Sequence, residues 1–111
     1  ALLSHALDAP LPPGTGWESY LAARPPALRT TIRRKLARAA REMAFERIAA
    51  PGPALEAGIA AYEAVRAGSW KPAEPFPDFD AALMRAAAAA GLLRLGVLRR
   101  RADGVPVAAQ Y

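Results

Sequence analysis

Three chemically distinct side chains stand together in Ser69-Trp70-Lys71-Pro72-Ala73-Glu74, a stretch stiffened by Pro72, Pro75 and Pro77. Proline fixes φ and removes a backbone donor, so this segment reads as a loop between helices. Loops held on a rigid scaffold are common seats of binding. Trp70 can cover a ligand; Lys71 and Glu74 can bind an anion, pair with each other or move protons. The competing reading makes Trp70 a plug in the core beneath the loop, with a surface ion pair beside it.

The second candidate is charge alone. Arg24 to Arg47 holds eight of the fifteen basic residues against Glu42 and Glu46. A helix so loaded, with Arg33, Arg34 and Arg38 as its anion-binding candidates, could meet the phosphates of a nucleic acid or another anionic partner. It could equally be a solvated face. No aromatic interleaves these arginines, so a stacking platform for single strands is missing, and no second helix makes a helix-turn-helix.

Other chemistries are excluded by inventory. The 111 residues contain no cysteine and one histidine, His5. Disulfides, thiolate metal sites and a cysteine nucleophile are therefore out, and a zinc site or a Ser-His-Asp triad would rest on that single imidazole. Nothing matches GxxxxGK[ST] or GxGxxG. Asp78 and Asp80 read as capping and first-turn charges of a helix rather than a catalytic pair. No apolar run approaches the ~20 residues of a membrane span, and the N-terminus lacks a signal-peptide pattern, so a cytoplasmic protein is expected. The start without Met and the apolar finish at Val107-Ala108-Ala109-Gln110-Tyr111 suggest a piece of a longer chain.

The elements that must carry these residues follow from periodicity. Residues 1–16, rich in Pro and Gly, read as a linker or lead-in, and Trp17 to Leu21 as a turn or two of helix. Pro25 and Pro26 suit the first turn of a helix whose stripe is Leu28, Ile32, Leu36, Ala39 and Met43. Phe45 to Ala49 alternates as a strand. Leu55, Ile59, Tyr62 and Val65 mark a helix ended by Gly68. Asp78 opens another helix, with Phe79, Leu83, Ala87 and Ala90 on its buried face and Gly91 after it. Residues 92–101 and 105–111 alternate as strands about an Asp103-Gly104 turn. The expected core is Leu28, Ile32, Leu36, Leu55, Ile59, Tyr62, Leu83, Leu95 and Val97, with Arg33, Arg34 and Arg41 exposed.

Taken in order, these parts resemble a known family. WESYLAARPPALRTTIRRKLAR is similar to an aromatic-rich opening and Arg-rich helix. FERIA, a helix, the GSWKPAEPF loop, a helix ending in AAGLLRLGVL, and ADG leading into VPVAAQY follow in turn, the last like a "G-x-P-V-A-A" strand. Residues 17–111 resemble the acetyltransferase domain of the Gcn5-related N-acetyltransferase (GNAT) superfamily, in the branch grouped with cellulose-biosynthesis and FemAB-like proteins. The resemblance implies an α/β (α+β) fold, a partial GNAT-like mixed sheet with flanking helices, truncated after the third strand. It implies acyl transfer from acetyl-CoA to an amine or hydroxyl acceptor, a small molecule or a polysaccharide- or peptide-type group. Trp70 would wall that acceptor, and Lys71 and Glu74 would contact its polar groups, with Glu74 the nearest candidate for a base. The half that binds the CoA pyrophosphate would lie outside the chain, leaving it inactive alone. Arg101 to Pro106 partly matches the family's RxxGxG/A phosphate pattern, but a hairpin turn offers no helix N-terminus to cradle an anion. The alternative is a non-catalytic anion- or nucleic-acid-binding module using the Arg-rich helix 25–44.

Overall fold

The computed structural model describes residues 10–111. They belong to two compact units, one ending at Ala37 and one running Arg38–Tyr111. His5 and most of the 1–16 lead-in lie outside the described residues; residues 10–16 hold a turn closed by Thr15 N–H donating to the Pro12 carbonyl at 3.1 Å.

In the first unit, α1 (Trp17–Ala22) packs Trp17 on Tyr20 at 6.0 Å between ring centroids. The Arg24 guanidinium sits 4.6 Å from the Tyr20 ring centre, a cation–π contact. Helix α2 (Pro26–Glu42) begins in this unit and ends in the next. It buries none of its residues. This corrects the expected core: Leu28 is 46% and Leu36 51% exposed, and Ile32 is half-buried. Within its own unit α2 meets only the six residues of α1, too short an element to cover a stripe of several turns. Arg33, Arg34 and Arg41 are exposed as expected.

The second unit is a three-stranded sheet backed on one face by two helices. Strands β1 (Met43–Ile48), β2 (Leu95–Arg100) and β3 (Pro106–Gln110) pair in that order, antiparallel throughout. Three antiparallel strands with flanking helices agree with the expected α/β fold, a partial sheet truncated after its third strand. Met43, placed on the α2 stripe by periodicity, instead opens β1, because the chain passes from helix to strand without a loop. Period-two alternation sends Ile48, Leu95 and Val97 to one face, where they are buried with Leu55 and Ile59 of α3 (Pro53–Ala67) and Met84 of α4 (Phe79–Ala89).

Two details fix this packing. Gly58 lets α3 approach the sheet closely: a Cβ there would lie 2.5 Å from Ile48 Cδ1 and 2.8 Å from Leu95 Cδ2. Helix α4 ends in a Schellman turn, with Gly91 at φ +71° and Leu92 N–H donating to the Ala87 carbonyl at 2.8 Å. The buried side of α4 is Ala81, Met84 and Ala88, with Ala87 half-buried against the core as expected; Phe79, Leu83 and Ala90 are exposed, Leu83 by 42%. In so alanine-rich a helix the apolar period is weak, and close approach selects the side where two alanines flank one long methionine. Tyr62 is half-buried rather than buried. Asp78 occupies the N-cap position without a side-chain capping bond.

Candidate functional site

The end of α3, the 69–78 loop and the start of α4 enclose an open groove of about 490 Å³. Arg66, in the last turn of α3, is its central side chain. The guanidinium pairs with Glu74 from the loop and donates to Asp80 Oδ2 at 3.0 Å. Asp80 Oδ1 accepts from the Tyr111 hydroxyl at 2.6 Å. The Tyr111 ring meets Tyr62 edge-on, 5.3 Å between centroids. One charged chain therefore ties the end of β3, the first turn of α4, the last turn of α3 and the loop.

The electrostatics follow from these contacts. Hydrogen bonding to Asp80, aided by burial and the nearby carboxylate charge, pushes the Tyr111 phenol up to about 12. At neutral pH it is a hydrogen-bond donor and cannot serve as a base. Hydrogen bonding to Glu74 holds the Arg66 guanidinium above its ordinary range, so it stays cationic.

Of the residues marked from sequence, Lys71 and Glu74 line this groove. Trp70 does not line it and is 90% exposed, so it plugs no core. Lys71 and Glu74 do not pair with each other: Glu74 pairs with Arg66. Sequence reasoning missed Arg66 and Tyr111 and read Asp80 only as a first-turn charge. Their separations along the chain carry no local signal; folding alone brings them together. The Arg-rich helix is a different matter. Arg38 donates to Glu42 at 3.0 Å, and Arg33 lies 3.8 Å from Glu18, so two of its three anion-binding candidates already face carboxylates. Among the described residues no cluster of His, Cys, Asp or Glu could hold a metal ion, and no helix is long and apolar enough to cross a membrane.

A comparison with protein families matches residues 26–111 to the acetyltransferase (GNAT) domain. The chain belongs to this family. Its class of chemistry is acyl transfer, and the match does not favour an anion- or nucleic-acid-binding module. The groove and every residue of its charged chain lie inside the matched segment of the GNAT domain. No curated protein and no solved structure matches the chain.

A GNAT domain implies an acyl-CoA donor, whose diphosphate needs backbone N–H groups and positive charge. The longer helices of the described residues do not fit it. Helix α2 opens on prolines, α3 has proline at its start and Glu56 in its first turn, and α4 has Asp80 there. Proline removes donors, and a carboxylate opposes the ligand's charge.

Proposed function

We propose that this GNAT domain transfers an acyl group from acetyl-CoA to an amine or hydroxyl acceptor, and that the Arg66–Glu74–Asp80 groove is where the acceptor sits. The observation that carries this reading is that Lys71 and Glu74 are gathered with a fixed cation and a second carboxylate in one groove inside the family-matched residues. Lys71 and Glu74 contact the acceptor's polar groups, and Trp70, exposed on the same loop, closes over it once it is bound. Glu74 is the carboxylate nearest to solvent in the charged chain and is the candidate to accept the acceptor's proton. Tyr111 and Asp80 hold Arg66 in place. The donor's diphosphate is held by residues other than those described here. A polysaccharide- or peptide-type acceptor and kinship with the FemAB-like and cellulose-biosynthesis branch rest on the order of the sequence segments, and a cytoplasmic setting on the lack of a membrane-span or signal-peptide pattern in the sequence.

The test is release of free CoA by the polypeptide that carries this domain, offered acetyl-CoA with a panel of amines and alcohols. The domain has no cysteine, so a thiol reagent sees no thiol from these 111 residues. Lys71→Ala and Glu74→Gln should raise the acceptor KM or lower kcat while melting stays put. Unchanged kinetics for both variants would remove the groove from the reaction.

A further inference from the structure

Helix α2 leaves its apolar stripe uncovered. At 3.6 residues per turn, Leu28, Ile32, Leu36 and Ala39 fall on one side of it. Leu28 and Leu36 are exposed, and Ile32 and Ala39 are half-buried. The same winding sets Arg29 and Arg33 along one border of the stripe and Lys35 along the other, and puts Arg34, Arg38 and Arg41 on the far side. The helix has one carboxylate, Glu42. Six cations against it give α2 a formal +5, the whole of the chain's net charge, so the residues outside the helix sum to zero.

The ion pairs of α2 leave that charge available. Arg33 lies 3.8 Å from Glu18 and Arg38 3.0 Å from Glu42, all four at exposed positions, where such pairs are weak and readily exchanged. Arg34, Lys35 and Arg41 have no ion-pair partner among the described residues.

The partner must answer both the stripe and the cations around it. Nucleic-acid phosphates would meet the arginines and leave the leucines in water. A partner helix would use the stripe and its two borders, leaving Arg34, Arg38 and Arg41 idle on the far side. A second copy would bring one strongly basic helix against another. An anionic bilayer uses all of it. The boundary between headgroups and acyl chains takes a narrow apolar stripe, and the long stems of Arg29, Arg33 and Lys35 lie along it with their charges among the headgroups. The negative surface potential reaches over a Debye length of about 8–10 Å, close to the diameter of a helix, so it also attracts the cations on the far side. A polar helix with one apolar side is an interfacial element, and α2 is not long and apolar enough to span.

We propose that α2 lies flat on an anionic lipid surface, with Leu28, Ile32 and Leu36 in the headgroup–acyl boundary, and so holds the acyltransferase domain at a membrane. The Arg66 groove plays no part in this contact.

The experiment sediments the 111-residue chain with vesicles of phosphatidylcholine alone or with about 30% phosphatidylserine, at near-physiological salt. Affinity for the anionic vesicles should be at least about tenfold higher. Leu28→Ser with Leu36→Ser should lower it at least about tenfold, with unchanged circular dichroism because both side chains are exposed in solution. Arg34→Glu with Arg41→Glu should weaken it as strongly. Arg47→Glu with Arg94→Glu, the same change of net charge at exposed positions of the sheet unit, should cost far less. The chain has no cysteine, so Leu36→Cys and, separately, Arg34→Cys each carry one environment-sensitive dye; on anionic vesicles the dye at 36 should shift to the blue and the dye at 34 should not. Equal binding to the two kinds of vesicle overturns the proposal. So does a leucine double variant that binds like the unaltered chain, a loss from the sheet pair as large as that from the helix pair, or equal dye shifts at both positions. Binding to duplex DNA or to an acidic helical peptide, with none to vesicles, would assign the helix to a nucleic acid or to a protein instead.

Discussion

Replacing Gly58 with alanine sets two opposed effects against each other in the middle of α3. In an exposed helix interior the change would stabilise by about 1 kcal/mol, because glycine is the poorer helix former. Here the new Cβ would come 2.5 Å from Ile48 Cδ1 and 2.8 Å from Leu95 Cδ2, well inside contact distance. Both neighbours are buried in the core, so their tips have little room to turn away. Overpacking of this kind costs about 1–3 kcal/mol. The net expectation for Gly58→Ala is a loss of up to about 2 kcal/mol, the overpacking less the propensity gain. The closer contact is to a single methyl, and Ile48→Val deletes that methyl at a cost of about 0.5–1.5 kcal/mol on its own. In the Ile48→Val background Gly58→Ala should cost less, because the closer contact is gone while the 2.8 Å approach to Leu95 Cδ2 remains, giving a favourable coupling of about 1 kcal/mol between the two sites. Urea denaturation of the four proteins, with m-values compared to confirm an unchanged transition, measures the cycle. Additive effects, or a stabilising Gly58→Ala in the unaltered protein, would show that α3 does not lie as close to the sheet as described.

Other outcomes follow from particular side chains. Ile59→Ala should cost ~2–5 kcal/mol in chemical denaturation, since Ile59 is in the core; a loss under about 1 kcal/mol would contradict the facing of α3. One of the three tyrosines, identified by its absence in Tyr111→Phe, should titrate by ultraviolet absorbance near 12, and Asp80→Asn should bring it down. Because the folded phenol titrates above its ordinary value of 10.0, its contribution to stability is full below that pH and is lost as pH climbs towards about 12. Trp70→Ala should leave the melting temperature almost unchanged, the side chain being so exposed, while turnover of the acyltransferase falls; a drop of many degrees would return Trp70 to a structural role. Calorimetry with acetyl-CoA and this 111-residue chain should find no tight binding, and micromolar affinity would overturn the mismatch found at its helix starts.

The linear order of the amino acids sufficed for what depends on near neighbours. Prolines placed the 69–77 loop, Pro53 and Gly91 bounded helices, and alternation across residues 92–101 marked a strand, observed over Leu95–Arg100, and, with Asp103-Gly104, a hairpin. The turn that closes it has Gly104 N–H donating to the Arg100 carbonyl at 2.8 Å, with Asp103 holding Arg100 and the Val105 N–H. Lys71 and Glu74 were legible as groove residues for the same reason: they share one short, stiff segment. What needed the tertiary structure were quantities set by distant partners. The period of α2 identified an apolar stripe but could not say whether anything covers it, and within its own unit nothing long enough does. Alanine blurred the period of α4, so only packing against the α3 side chose Met84 over Leu83. Arg66, Asp80 and Tyr111 lie far apart along the chain and become one hydrogen-bonded site only because the β1–β2–β3 sheet returns its last strand beside α3. Periodicity is a property of a segment, whereas burial and ion pairing are properties of two surfaces, and the second surface is supplied by the fold.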